Sequence, residues 1–165
     1  MAGRRVVQAF KAVGLALALA VLLAALAWLF RSDPIMMISG RTLVGEEFPY
    51  PDDWGFTDSQ NTIAVETRPE DPHSVTTICF VHGGELYVPA QSGSSKRWPS
   101  YVVEDPRVRL KIDGRIYRAR AVRVLPVELT LYRDSIARKY SAMANRSPDE
   151  LPPDIWLFRI APRES

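Results

Sequence analysis

Cysteine is all but missing from this chain: Cys79 stands alone, so no intrachain disulfide can form. Histidine is nearly as scarce, with only His73 and His82, and these three residues lack the ligand spacing of a zinc site. His73, Cys79 and His82 also fall on or beside a strand-like stretch, where alternate side chains point to opposite faces. There is no phosphate-binding P-loop, no glycine-rich dinucleotide fingerprint and no Ser/His/Asp order that would mark a hydrolase. No internal repeat is present, which excludes solenoid and propeller architectures. The formal net charge is only +2, and no nucleic-acid-binding motif accompanies the basic residues, so a nucleic-acid partner is not expected.

What the chain does have is one long uncharged run, nineteen residues from Ala12 to Phe30. As a helix it would measure roughly 28 Å, against a bilayer core of about 30 Å. Arg4, Arg5 and Lys11 precede the run and Arg31 follows it. The expectation is a single-pass membrane anchor through residues 12–30, with the N-terminus cytoplasmic and the remainder on the outer side. The alternative is a cleaved secretory signal ending near Ala25-Leu26-Ala27. Residues 1–31 are thus assigned to the anchor or signal, 32–61 to connecting strands and an aromatic-rich loop, and 62–165 to one folded domain.

Charge is unevenly spread. Residues 46–72 carry eight acids and one base, whereas residues 107–123 carry seven bases and one acid. Short strands are expected at 35–38 and 42–44, followed by a loop over 48–60 in which Tyr50, Trp54 and Phe56 cover the core or line a pocket. Residues 62–67 and 75–82 read as strands, and Gly83-Gly84 supplies a two-residue hairpin turn into 85–89. After a polar stretch, QSGSSK, one or two helical turns are expected over 98–105. This stretch is the one plausible anion-cradling loop in the sequence, or else a plain surface connection.

A second hairpin turns at Asp113-Gly114. Its register places Leu110 opposite Tyr117 and Val108 opposite Ala119 on the apolar side. On the other side Arg109 faces Arg118 and Arg107 faces Arg120, with Lys111 nearby. Like charges in direct register cost about 0.2 to 1 kcal/mol per pair. Three groups are able to neutralise them: carboxylates from residues 46–72, a bound phosphate, or a polyanion such as anionic lipid. Residues 127–145 then read as an amphipathic helix with Leu129, Tyr132, Ile136, Tyr140 and Met143 on one face. Asp134 and Ser135 are expected on its solvated side. Residues 155–161 form a closing strand with Trp156, Phe158 and Ile160 alternating. The resulting class is mainly β with α: a transmembrane helix followed by a small antiparallel split β-barrel with one or two packed helices.

The stretch LYVPAQSGSSKRWPSYVVEDPRVRLKI, with the hairpin before it and the helix and strand after it, resembles the flavin-binding split β-barrel superfamily. That superfamily includes the pyridoxamine-phosphate-oxidase-like and deazaflavin-dependent nitroreductase-like proteins. The resemblance implies that Ser95, Lys96 and Arg97 contact the phosphate of a flavin mononucleotide (FMN) or deazaflavin coenzyme. It further implies that Thr76 and Thr77 lie beside the ring system, and that Trp98 shapes the pocket. It implies an oxidoreductase-like function and a homodimer, and it names no catalytic side chain. His73-Ser74 stands where the oxidase pattern carries a basic residue, and Cys79, Phe80 and Val81 stand where it carries a lysine. A non-catalytic, tethered interaction domain that has lost the cofactor is therefore the alternative.

Overall fold

A computed structural model describes residues 2–29, 32–125, 130–139 and 154–163, without the side chains of 2–10, 12, 27–29, 133 and 137. The chain divides into two compact units, Met1–Arg31 and Ser32–Ser165. The first is a helix, α1 (Ala2–Leu29). Among the described residues no helix is long and apolar enough to cross a membrane. This overturns the expected transmembrane helix.

The second unit is built on eight strands: β1 (Glu46–Phe48), β2 (Ile63–Thr67), β3 (His73–Thr77), β4 (Phe80–His82), β5 (Glu85–Gln91), β6 (Arg107–Ile112), β7 (Arg115–Val124) and β8 (Ile155–Pro162). Among the described residues two short α-helices, α2 (Arg97–Glu104) and α3 (Arg133–Lys139), and a 3-10 helix at Gly55–Ser59 accompany them. The strands form one sheet in the order β3-β2-β6-β7-β8-β5-β4, antiparallel throughout except that β1 pairs in parallel with the first residues of β7. At the far end of β3 the Thr77 hydroxyl donates to the Pro89 carbonyl of β5 at 3.4 Å, which brings distant members of that order together.

Local chemistry explains the hairpins. Gly83 and Gly84 both adopt positive φ, 60° and 81°, as a two-residue turn requires. At the second turn Asp113 and Gly114 take 49° and 77°, and the register read from the sequence holds: Arg107 pairs with Arg120, Val108 with Ala119, Arg109 with Arg118 and Leu110 with Tyr117. Val108, Leu110 and Ile112 point inward to a core that also takes in Trp54, Val65, Leu86, Val88 and Phe158. Trp54 is buried and Tyr50 donates its hydroxyl to the Ile160 carbonyl at 3.0 Å, while Phe56 remains partly exposed.

Several expectations are corrected. Residues 75–82 are not one strand, because the chain breaks at Ile78 and the fully buried Cys79. The two halves serve different neighbours, β3 pairing with β2 and β4 with β5. Residues 35–38 form only a tight turn closed by an isolated bridge, and no strand forms at 42–44. The strand in that region is β1, whose register with β7 is set by long-range pairing. Of the helix expected over 127–145, α3 is described. Tyr132, just before it, and Ile136, within it, pack against Phe80, Tyr87 and Leu157, whereas Leu129, Tyr140 and Met143 lie outside the described residues. Ser135 is not on a solvated face: it is buried, with its hydroxyl 2.9 Å from His82 Nδ1.

Candidate functional site

The polar loop after β5 is shaped by its own serines. Ser92 adopts φ 56°, and its carbonyl accepts the backbone N–H groups of Ser95 and Lys96 at 3.1 and 3.2 Å. The Ser95 hydroxyl donates to that same carbonyl at 3.1 Å. Ser94 gives its N–H and hydroxyl to the Asp154 carboxylate, at 3.0 and 2.6 Å, and those bonds hold that carboxyl below the usual carboxylate range. With the Ser95 hydroxyl engaged inside the loop and the Ser94 hydroxyl on Asp154, Lys96 and Arg97 are left to project from its end, where Lys96 is extended and Arg97 opens α2.

Both cations line a hollow of about 250 Å³ between β3 and α2, together with Thr76, Val75, His73 and the indole of Trp98. Trp98 is otherwise a core residue, its ring centroid 5.4 Å from that of Phe158, so it fixes the hollow's floor. The remaining wall comes from the segment before β1: Met36, Met37 and Ser39. Backbone bonds place that segment here, since Gly40 donates to and accepts from Ser74 of β3 at 2.8 and 3.1 Å. His73 stands edge-on to Tyr101 at 5.5 Å. Burial pushes its imidazole below the ordinary value, and the positive charges of Arg97 and Arg68 push it the same way, against a smaller opposing effect of Asp71. The wall therefore offers two fixed cations, two hydroxyls and an imidazole that resists a third positive charge. No carboxylate lines it among the described residues.

Of the residues expected at a cofactor site, the structure brings Thr76, Lys96, Arg97 and Trp98 together around this hollow. Ser95 and Thr77 stand outside its lining, Ser95 because its hydroxyl serves the loop and Thr77 because its hydroxyl turns to Pro89. The sequence reading missed His73, Met36, Met37 and Ser39. No short-range pattern marks Met36, Met37 and Ser39, because the Gly40–Ser74 bridge joins residues far apart in the chain, whereas His73 lies on β3 itself, three residues before Thr76.

A larger hollow of about 390 Å³ lies on the basic face of the β6–β7 hairpin, but the hairpin arginines that line it, Arg107, Arg109 and Arg118, already have partners. Arg109 meets Glu66 at 2.9 Å and Glu47 at 3.4 Å, Arg118 meets Glu47 at 2.8 Å, and Arg107 meets Glu70 at 2.8 Å and Asp105 at 2.5 Å. Lys111 is paired with Asp33. Hydrogen bonds from Arg118 hold the Glu47 carboxyl below its usual range despite some desolvation, and Arg107 does the same for Asp105. Of the three neutralising groups open from the sequence, carboxylates of residues 46–72 occupy this ladder, with Asp33 and Asp105 completing it. Beside α3, Lys139 Nζ donates to the Thr57 carbonyl at 2.8 Å and lies 3.4 Å from Cys79 Sγ. Burial raises the Cys79 thiol above its ordinary value, and the nearby ammonium only partly offsets this.

No protein-family model matches the chain, and no curated protein matches it. Solved structures do. A conserved hypothetical protein from Mycobacterium tuberculosis superposes with a TM-score of 0.53 at 18% identity, over 71% of this chain and 86% of that one. A heme storage protein from Vibrio cholerae gives 0.48 at 14% identity, over 67% and 87%. A putative pyridoxamine 5'-phosphate oxidase from Listeria innocua gives 0.47 at 15% identity, over 65% and 87%. At these identities the likeness is one of fold, and the first of the three establishes it.

Proposed function

We propose that this chain holds a phosphorylated, planar redox cofactor of the flavin or deazaflavin class in the hollow between β3 and α2, and works as an oxidoreductase-like protein with it. The observation that carries this reading is the pairing of Lys96 and Arg97 over a wall without carboxylates, in contrast to the ladder hollow where every described arginine of β6 meets an acid. A phosphate calls for charge-assisted donors, and a flexible ammonium beside a forked guanidinium supplies them.

The donor set suits such a group. Thr76 and Ser39 add hydroxyls, while Val75, Trp98 and the two methionines add apolar surface on which a ring can lie. The volume of about 250 Å³ is below the roughly 300 to 1,000 Å³ of sites that enclose a whole ligand. One chain therefore takes the phosphate and one side of the ring, and a second chain in a homodimer would cover the rest. When bound, the cofactor supplies the electron and hydride transfer itself. The chain's own part is to grip the phosphate with Lys96 and Arg97 and to keep water off one ring face.

Fluorescence titration of the full chain with FMN and with a deazaflavin tests this. Saturable binding is expected, weakened about tenfold or more by either Lys96→Ala or Arg97→Ala with folding intact, since a hydrogen bond to a charged group contributes roughly 1.5 to 3 kcal/mol. Binding that ignores both substitutions removes the phosphate role. No binding at all to the folded chain leaves a non-catalytic interaction domain as the reading.

A further inference from the structure

We infer that Met36 and Met37 are an apolar clamp that closes on the ring of the ligand whose phosphate Lys96 and Arg97 hold; this rests on the cofactor reading above. The turn that carries them is closed by reciprocal backbone bonds between Ile35 and Ile38, at 3.0 and 2.8 Å. Met36 sits in the left-handed region, φ 48°, a conformation that side chains other than glycine rarely adopt and that surrounding structure must enforce. The enforcement is visible on both flanks. Arg41 donates its N–H to the Ser32 carbonyl at 2.7 Å, Gly40 is bridged to Ser74, and Asp33 both accepts the Val44 N–H at 3.1 Å and pairs with Lys111.

So firm an anchorage is spent on presenting apolar groups to water. Met36 is 81% exposed and Met37 96%, with Ile35 beside them at 60%. Large apolar side chains gathered at one point mark a surface that something covers. The occupant is set by what faces them: the same hollow carries Lys96 and Arg97 on its other side, so the ligand is anionic at one end and apolar at the other. Methionine fits the apolar end, because its unbranched chain adapts to a flat surface and its polarisable sulfur makes favourable contacts with aromatic rings. A free inorganic phosphate would satisfy the cations and leave both methionines bare.

The chain has four methionines, so labelling their ε-methyl groups with carbon-13 gives a spectrum simple enough to assign by single substitutions. On adding FMN to the full chain, the Met36 and Met37 methyl signals should move upfield under the ring current, and inorganic phosphate at saturation should leave them in place. The double variant Met36→Ala/Met37→Ala should weaken FMN binding about fivefold and leave phosphate affinity unchanged. If FMN binds in a Lys96- and Arg97-dependent way while both methyl signals stay still, the clamp is wrong and the cofactor reading survives. Signals that instead shift with protein concentration alone would mean a second copy covers the turn, which also overturns the clamp. If neither FMN nor a deazaflavin binds, both readings fall.

Discussion

Glu66 is locked to Arg109: its carboxylate, on a residue only 4% exposed, lies 2.9 Å from the Arg109 guanidinium and accepts the Leu43 N–H at 2.6 Å. One side chain thereby ties β2 to β6 and fixes the segment leading to β1. Removing one member of a buried pair strands the other, at a cost of about 3 to 5 kcal/mol. Glu66→Ala should destabilise the domain by about that amount in chemical denaturation, since Arg109 would be left facing Arg118 with Glu47 alone. A loss under about 1 kcal/mol would mean that the pair is marginal and the ladder is held together elsewhere.

Ile112 closes the inward face of β6 and is essentially inaccessible. Ile112→Asp should abolish cooperative unfolding, because a carboxylate there has no partner in the core. Ile112→Val should melt cooperatively with a loss of about 0.5 to 1.5 kcal/mol. A natively melting aspartate variant would contradict the hairpin register.

His73 gives a pH dependence whose sign follows from its depressed imidazole. The unfolded chain takes up the proton near the ordinary value of roughly 6.5, whereas the folded chain resists it. Stability is therefore full above that pH and falls as the pH drops below it, until the folded imidazole titrates as well. His73→Gln should flatten this limb of the stability profile. An identical slope in wild type and variant between about pH 6.5 and 5 would show that another group is responsible.

Gly40 has no room for a side chain: a Cβ there would come within 2.3 Å of the Ser32 carbonyl oxygen and 2.6 Å of the Asp33 and Pro34 backbone. Gly40→Ala should cost roughly 1 to 3 kcal/mol, as overpacking generally does. It should also loosen the methionine turn, so FMN affinity should fall while the far-UV spectrum of the sheet persists. Retained stability and affinity together would mean that the segment shifts freely.

The two hairpins were legible in the sequence because glycine-bearing turns and strict alternation are local signals, and so was the loop that projects Lys96 and Arg97. What escaped was settled over distance. The break at Cys79 arises because β3 and β4 answer to different partners, and β1 exists only because β7 offers it an edge. The uncharged run at the N-terminus was read from residue types alone, and among the described residues no helix is long and apolar enough to cross a membrane. At the candidate site Trp98 was found by its neighbours in sequence, whereas Met36 and Met37 arrive through the Gly40–Ser74 bridge.

The placement of β8 constrains how the protein is made. Eighth in the chain, it sits between β7 and β5 in the sheet and bonds to both. While the ribosome is still delivering the residues before Ile155, β7 and β5 each present an unpaired edge, the kind of edge on which chains aggregate. The β6–β7 hairpin is able to form early from close neighbours, but the sheet cannot be joined into one piece until the eighth strand has emerged. A nascent chain stalled before that point would be a client for chaperones, and the window of risk would close with the insertion of those few residues.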